Sequence, residues 1–222
     1  MKELTFLLDI LMSDFDFYQL LTTYGNFYPT RHRVEKTEDF VEWTEQNFEY
    51  VRYNPRKDVK RYGLSLTSLD GGTSGIPDLD SLFEYNKENN TDYKERDFAT
   101  FTPVHDWGNL NEIIAPIKNL IHRSHVLKLD PGGFFPPHRD HRGRNIGSFR
   151  LIVPLQNMRP PALNFVIDNK ILEWETGLLY FLNTNLEHYL FNASFSPSYM
   201  IIYNVGLTEG SVDFVTRNFL YP

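Results

Sequence analysis

The chain contains 222 residues, which fits a single domain of substantial size, and 41% of them are hydrophobic, so a large core can form. Its formal net charge of -7 gives no electrostatic support for binding to nucleic acid. The sequence contains no cysteine, which excludes disulfides, thiolate metal sites and a cysteine nucleophile, so a bound metal would need His, Asp, Glu or backbone oxygen ligands.

The sequence shows no targeting or membrane-spanning pattern. Residues 4–12 are apolar, but Asp9 interrupts them, no basic segment precedes them and no small-residue cleavage site follows. No run approaches the roughly 20 apolar residues that cross a bilayer. We therefore expect a cytoplasmic protein that does not bind membranes.

The first half of the sequence carries mainly helical patterns. Residues 4–11 place leucines at helical spacing, and a second helix is predicted after Thr37, which would cap it. Residues 61–66 alternate between polar and apolar side chains, as in a strand. Residues 110–121 form an apolar stripe, in which Pro116 predicts a kink or a helix start. These patterns predict a mainly helical N-terminal layer over residues 1–123.

The pattern changes to short strands from residue 124 onward. Turn signals such as Asp130-Pro131-Gly132-Gly133 and Gly177 separate them. The predicted strands are 126–129, 149–155, 163–167, 178–182, 188–192 and 199–205. This spacing predicts a sandwich, barrel or jelly roll. We therefore expect a mostly β fold with flanking helices, forming one domain over 1–222 whose jelly-roll core spans 124–217.

Three residues of the second half form a candidate metal site. His138 and Asp140 are two residues apart, so on a strand both side chains point to one face. His188 begins another apolar segment. Two histidines and one carboxylate on one face of an octahedral ion leave three positions open, as non-haem Fe(II) oxygenases require. Each element alone has a plainer interpretation: a surface pair in a turn, or a hydrogen-bonded histidine on a strand.

Three segments of this half resemble the Fe(II)/2-oxoglutarate-dependent dioxygenases, in their aspartyl/asparaginyl β-hydroxylase-like branch. LKLDPGGFFPPHRD, residues 127–140, is similar to the strand and turn that precede the first metal ligands. FRLIVPLQN, residues 149–157, is similar to the strand that follows. GLLYFLNTNLEHYLFNAS, residues 177–194, is similar to the stretch with the distal histidine. The resemblance covers residues 124–205.

The resemblance implies a double-stranded β-helix core and an enzyme. Fe(II) would be held by His138, Asp140 and His188, with 2-oxoglutarate and O2 as co-substrates. The implied reaction is hydroxylation of an amino acid, a peptide side chain or a small metabolite. Neither the identity of the substrate nor the oligomeric state follows from the sequence.

A co-substrate site is also implied, with one departure from the family pattern. Arg150 is the predicted anchor for a 2-oxoglutarate carboxylate, because a guanidinium grips a carboxylate through two parallel hydrogen bonds. A structural salt bridge is the alternative role for it. Many relatives place an anchoring arginine where this chain has Ser198, which can donate one hydrogen bond but carries no charge. Either Arg150 acts alone, Arg217 or Lys128 reaches the site, or the co-substrate site is altered.

Two other kinds of protein fit the same residues. One is a non-catalytic jelly-roll binding module that retains a metal site, which the serine at position 198 favours. The other is a cupin-like metalloenzyme that does not use 2-oxoglutarate. A basic cluster beside the predicted metal ligands, Arg139, Arg142 and Arg144, is either a solvated loop or a binding surface for a substrate carboxylate.

Overall fold

The computed structural model describes residues 14–140 and 146–220. Its α-helices are α1 (Asp14–Leu21), α2 (Thr37–Asn47), α3 (Leu82–Asn89), α4 (Leu110–Ile113) and α5 (Glu209–Arg217). Its 3-10 helices are Thr22–Tyr24, Glu95–Asp97, Pro103–Asp106 and Ala115–Leu120. Its strands are β1 (Phe27–Arg33), β2 (Val51–Arg52), β3 (Arg61–Ser65), β4 (Thr67–Ser68), β5 (Thr100–Phe101), β6 (His125–Leu129), β7 (Phe134–His138), β8 (Ser148–Gln156), β9 (Leu163–Ile167), β10 (Lys170–Ile171), β11 (Leu178–Leu182), β12 (His188–Asn192) and β13 (Ser198–Gly206).

Two antiparallel sheets form the core of the fold. The large sheet has the order β1-β11-β8-β13-β6-β3-β2, and the small sheet has the order β10-β9-β12-β7. Strands β4 and β5 form a separate short pair. One hydrophobic cluster joins the two sheets, since it contains Leu127 and Ile152 of the large sheet together with Phe165 and Leu190 of the small one. The predicted mostly β fold with a jelly-roll core is confirmed.

The large sheet is buried on both faces, which explains its long apolar runs. On β8, Ile152 faces the small sheet, whereas Leu151 and Val153 belong to a second cluster on the other face. Helices α1, α2 and α5 cover that other face and contribute side chains such as Leu21 and Phe40, neither of which is exposed to solvent. The helices therefore brace the outside of one sheet and leave the space between the sheets to the site.

The N-terminal half differs from the helical layer that the sequence predicts. Strands β1, β2 and β3 all join the large sheet, where β1 pairs with β11 and β3 pairs with β6. Helix α2 begins at Thr37 itself, after Lys36 in a left-handed conformation, so Thr37 does not cap it. The predicted stripe over 110–121 divides into α4 and the following 3-10 helix, with the break next to Pro116.

Three further expectations concern the N-terminal leucines, membrane-crossing helices and the turn at Gly177. The leucine stripe over residues 4–11 lies outside the described residues. Among the residues that are described, no helix is both long enough and apolar enough to cross a membrane. Gly177, predicted to form a turn before its strand, has φ of 85°, and a Cβ there would approach the carbonyl oxygen of Val34 to 2.5 Å, so the position requires glycine.

Candidate metal centre

The three predicted metal ligands meet at one end of the small sheet. His138 ends β7 and His188 begins β12, and the two residues are direct partners across these antiparallel strands. Asp140 follows β7, and its backbone N–H donates a hydrogen bond to the carbonyl oxygen of Thr184 at 3.0 Å. Strand pairing and this one bond therefore bring together residues that are 48 positions apart or more in the sequence.

The ligand atoms have the spacing of an ion-binding cluster. Asp140 Oδ1 lies 3.6 Å from His138 Nε2 and 3.7 Å from His188 Nε2. All three atoms lie within 4.8 Å of one another. Metal–ligand bonds of about 2.0–2.2 Å place neighbouring ligand atoms roughly 3 Å apart, so a small contraction around an ion completes the site.

The hydrogen bonds of both histidines set their tautomers. Nδ1 of His138 lies 2.7 Å from the carbonyl oxygen of Pro136, and Nδ1 of His188 lies 3.0 Å from that of Leu186. A carbonyl can only accept, so each Nδ1 carries the hydrogen and each Nε2 presents a lone pair to the centre. Two lone pairs and a carboxylate that face one another repel unless a cation lies between them. The donor set therefore fits a divalent metal.

Charges around the centre keep its ligands in the metal-binding form. Burial alone would raise the pKa of Asp140, but Arg150, the two histidines and a hydrogen bond with Thr184 together outweigh burial, and the pKa lies below its ordinary value. Arg150 Nε is 3.3 Å from Asp140 Oδ2. Burial lowers the pKa of His188, which favours the neutral imidazole. A carboxylate and a neutral imidazole are the protonation states that ligate a metal.

A cavity of about 100 Å³ extends from the metal centre between the two sheets. Leu127, Ile152 and Met200 form apolar walls, and His125 and Arg150 supply polar atoms. His125 Nε2 and Arg150 Nη1 are buried and have no hydrogen-bond partner among the described residues. Burial lowers the pKa of His125 to about 3, so this imidazole is neutral. A small polar ligand or water in this cavity would supply the hydrogen-bond partners that these two nitrogens lack in the protein.

The other predicted anchors lie away from this cavity. The Ser198 hydroxyl is fully buried and donates to the carbonyl oxygen of Asn157 at 2.8 Å. Ser198 pairs with Leu129 at the far end of β13, whereas Ile202 of the same strand lines the cavity. Lys128 faces Glu45 at 2.9 Å. Arg217 has a side chain that is 77% exposed and pairs with its helix neighbour in α5, Asp213.

Of the predicted anchor residues, Arg150 is therefore the one that lies at the metal centre. In the basic cluster, Arg139 is exposed, and Arg142 and Arg144 lie outside the described residues.

Sequence reasoning missed three residues at the site. No motif singled out His125, which lines the cavity on β6 together with Leu127. The alternation of His125, Leu127 and Leu129 along β6 contained this signal. Arg123, which pairs with Glu95 at 2.8 Å, and Tyr53 also line the cavity, and they come from loops that no motif identified.

Comparisons with known proteins support the fold. HygX from Streptomyces hygroscopicus, solved with nickel, 2-oxoglutarate and hygromycin B bound, matches with a TM-score of 0.52 and 12% identity over 89% of this chain and 88% of HygX. An oxidoreductase of the 2OG-Fe(II) oxygenase family from Burkholderia pseudomallei matches with a TM-score of 0.48 and 9% identity over 90% of this chain and 93% of that one.

A predicted oxalate decarboxylase from Thermotoga maritima matches a smaller part, with a TM-score of 0.31 and 16% identity over 42% of this chain and 74% of that one. No protein-family model matches the sequence, and no curated protein matches it. At 12% identity, the likeness to HygX shows a shared fold. The aspartyl/asparaginyl β-hydroxylase-like branch stays a prediction.

Proposed function

We propose that the chain is an Fe(II)- and 2-oxoglutarate-dependent dioxygenase that hydroxylates an amino acid, a peptide side chain or a small metabolite. The observation that carries the proposal is the convergence of two Nε2 atoms and one carboxylate at the head of a cavity that also contains a buried guanidinium. HygX, which has the same fold, was solved with nickel, 2-oxoglutarate and hygromycin B bound.

His138, Asp140 and His188 would hold the metal. Their Nδ1–H bonds to backbone carbonyls fix both rings, and Arg150 keeps Asp140 ionised and oriented. Fe(II), once bound with 2-oxoglutarate and O2, supplies the oxidising chemistry that hydroxylates an unactivated C–H bond. Three protein ligands on one face leave room for these co-substrates.

Arg150 and His125 would bind the far carboxylate of 2-oxoglutarate. Both line the cavity, and each has one buried nitrogen without a partner. Arg150 contributes a charge-assisted hydrogen bond, and the neutral His125 can donate another through Nε2–H. Leu127, Ile152 and Met200 exclude water from the carbon chain between the two ends of the co-substrate.

Anaerobic titration of the Fe(II)-loaded protein with 2-oxoglutarate tests this function. We expect a metal-to-ligand absorption band that saturates with 2-oxoglutarate. After admission of air, succinate should form, and amino acids and peptides that stimulate its formation would identify the substrate class. The variant His138→Ala/His188→Ala should give neither signal.

Two results would contradict the proposal. Metal binding without any 2-oxoglutarate band would indicate a cupin-like metalloenzyme or a binding module. Equal Fe(II) or Mn(II) affinity in the parent and in the double variant would show that the three residues are not the ligands.

A further inference from the structure

A second cavity, of about 300 Å³, adjoins the metal centre from outside. His138 and Phe135 line both cavities, so a molecule in the outer one lies next to the metal ligands. The outer cavity is also lined by Arg61, the first residue of β3, and by Tyr53 of the preceding loop. A primary substrate that enters this cavity therefore lies beside His138, one of the three candidate metal ligands.

Arg61 is a buried cation without an acidic partner. It is only 6% exposed, and no carboxylate of the described residues lies within 4.0 Å of its guanidinium nitrogens. Its Nε has no hydrogen-bond partner among those residues. Burial lowers the pKa of Arg61, as expected for a cation that nothing compensates. An arginine is almost never buried in this way unless it is paired, so an anion is the partner that this residue requires.

Aromatic rings hold the guanidinium in place. Its Cζ lies 4.0 Å from the centre of the Phe135 ring and 5.7 Å from that of Tyr53. Phe135 in turn stacks on His138, with 6.1 Å between ring centres. One ring therefore separates Arg61 from a metal ligand. These rings fix the plane of the guanidinium but satisfy none of its hydrogen-bond donors.

We propose that Arg61 binds a carboxylate of the primary substrate, with apolar carbon of the substrate packed on Tyr53 and Phe135. This assignment rests on the proposed function, because it places the substrate against the metal centre.

The charges of the cavity wall favour a monoanion. The other buried or half-buried charges are already paired: Arg123 with Glu95, and Asp80 with Arg56. Lys57 also lines the cavity, but it is exposed, so water screens its charge. The one buried guanidinium without an acidic partner among the described residues neutralises one negative charge and matches a planar carboxylate through two parallel hydrogen bonds. A phosphate group, with a charge of about −1.5 to −2, would keep uncompensated charge beside the Asp80 carboxylate.

Two matched pairs of compounds test the carboxylate assignment. N-acetyl-L-leucine and N-acetyl-L-phenylalanine are compared with their primary amides and with inorganic phosphate. Binding to the anaerobic Fe(II)–2-oxoglutarate protein is measured by calorimetry. Each acid should bind at least about 10-fold more tightly than its amide. Arg61→Gln should remove that preference, and Arg61→Lys should retain part of it.

The control variant is Arg52→Gln. Arg52 lies on the neighbouring strand β2, but its side chain is 52% exposed and faces Asp58 at 3.5 Å. Its loss should leave the acid preference intact. The affinity for 2-oxoglutarate should be unchanged in Arg61→Gln, because Arg61 does not line the inner cavity. The unfolding temperature of Arg61→Gln should not fall, since the substitution removes an unpaired buried cation.

Several results would overturn the assignment: equal binding of acids and amides, no binding of either acid at 10 mM, tighter binding of phosphate, or an acid preference that survives Arg61→Gln. A loss of 2-oxoglutarate affinity in Arg61→Gln would make Arg61 the co-substrate anchor instead. Absence of 2-oxoglutarate binding in the parent, with an acid preference that still depends on Arg61, would overturn the dioxygenase function and leave the carboxylate site standing.

Discussion

Among the single residues of the site, Arg150 affects metal binding in two opposite ways. Its charge lowers the pKa of Asp140 and its Nε holds Oδ2 at 3.3 Å, which orients a ligand. The same charge repels a divalent cation close by. Its Nη1 is buried without a partner among the described residues. The salt bridge, one of the two roles that the sequence left open, is therefore present, and the anchor role stays a proposal.

The first prediction concerns this arginine. Arg150→Ala should weaken 2-oxoglutarate binding by ~10- to 100-fold, since the charge-assisted hydrogen bond from Nη1 would contribute roughly 1.5–3 kcal/mol. Arg150→Lys should recover only part of the affinity, because it keeps the charge but loses the planar fork. Mn(II) affinity should change much less, because the variant loses both the contact that orients Asp140 and the positive charge that repels the metal, and these two effects offset each other. The measurements are anaerobic absorption titration for the co-substrate and calorimetry for Mn(II).

A 2-oxoglutarate affinity that stays unchanged in Arg150→Ala would transfer the anchor to another residue of the inner cavity, with His125 the next to replace.

The second prediction concerns the metal ligands. His188→Ala should lower Mn(II) affinity by at least about 100-fold, because even the loss of a residue that only supports a ligand costs 10–100-fold. His32→Gln is the matched control, since His32 stacks on Phe214 in α5, away from the centre. Its Mn(II) affinity should equal that of the parent. Equal affinities in all three proteins would refute the triad.

The sequence predicts secondary-structure elements best where an apolar segment stands between turn signals. The strands from β8 to β13 show this pattern, with β10 the exception at only two residues. Strand β1 was missed because it contains Pro29 and the polar residues Thr30 and Arg31. Such a strand is tolerated at a sheet edge, where β1 lies.

Spacing along the sequence also predicted the triad, but it could not place Ser198 or Arg61 relative to it. Strand β13 has nine residues, so Ser198 at its start and Ile202, which lines the cavity, can share a face and still lie far apart along the strand. The pairing of β3 with β6 joins segments about 60 residues apart, and no local pattern reports it. The sequence therefore predicts site residues that belong to a recognisable motif, but it does not predict those that strand pairing brings in from distant parts of the chain.

The third prediction concerns the turn before β7, the strand that carries His138. A Cβ on Gly133 would lie 2.5 Å from the carbonyl oxygen of Lys60 and 2.9 Å from that of Asp130. Both are backbone atoms, so the turn must shift. Gly133→Ala should reduce the free energy of unfolding by about 1–3 kcal/mol, as overpacking does, and also weaken Mn(II) binding. Urea unfolding and calorimetry measure the two effects.

Gly147→Ala is the control for this turn, because a Cβ there meets nothing within 4 Å. Its stability should stay within about 0.5 kcal/mol of the parent. A Gly133→Ala protein with parental stability and metal affinity would show that the turn adapts without cost.

For the molecule as a whole, two buried titratable groups outside the site act on stability in opposite directions. Burial lowers the pKa of His105 to about 4, where its Nε2 meets the Tyr203 hydroxyl at 3.1 Å. A lowered histidine pKa means that stability present above pH 6.5 is lost as the pH falls toward 4. Burial raises the pKa of Asp78 to about 6. Its contribution to stability is instead lost as the pH rises. The pH dependence of the parent's stability therefore contains two opposing contributions, one from His105 and one from Asp78.

Asp78→Asn separates them and gives the fourth prediction. The Asp78 carboxyl is 3% exposed and accepts a hydrogen bond from the Ser65 hydroxyl at 3.0 Å, while Asp70 and Arg123 exert smaller, opposing effects on its pKa. Because the folded pKa lies above the unfolded one, its contribution is full below about pH 3.8 and is lost as the pH rises through about 6. The neutral amide avoids that loss. The free energy of unfolding, measured with urea, should therefore be higher for Asp78→Asn than for the parent by on the order of 1–2 kcal/mol at pH 8, after allowance for solvent screening. At pH 4 the two proteins should be almost equally stable.

The control is Asp213→Asn, which removes the same charge from a side chain that is 46% exposed. Its free energy of unfolding should stay within about 0.5 kcal/mol of the parent's at both pH values. If the Asp78→Asn difference were the same at pH 8 and pH 4, this carboxyl would not be the group whose burial opposes folding at neutral pH.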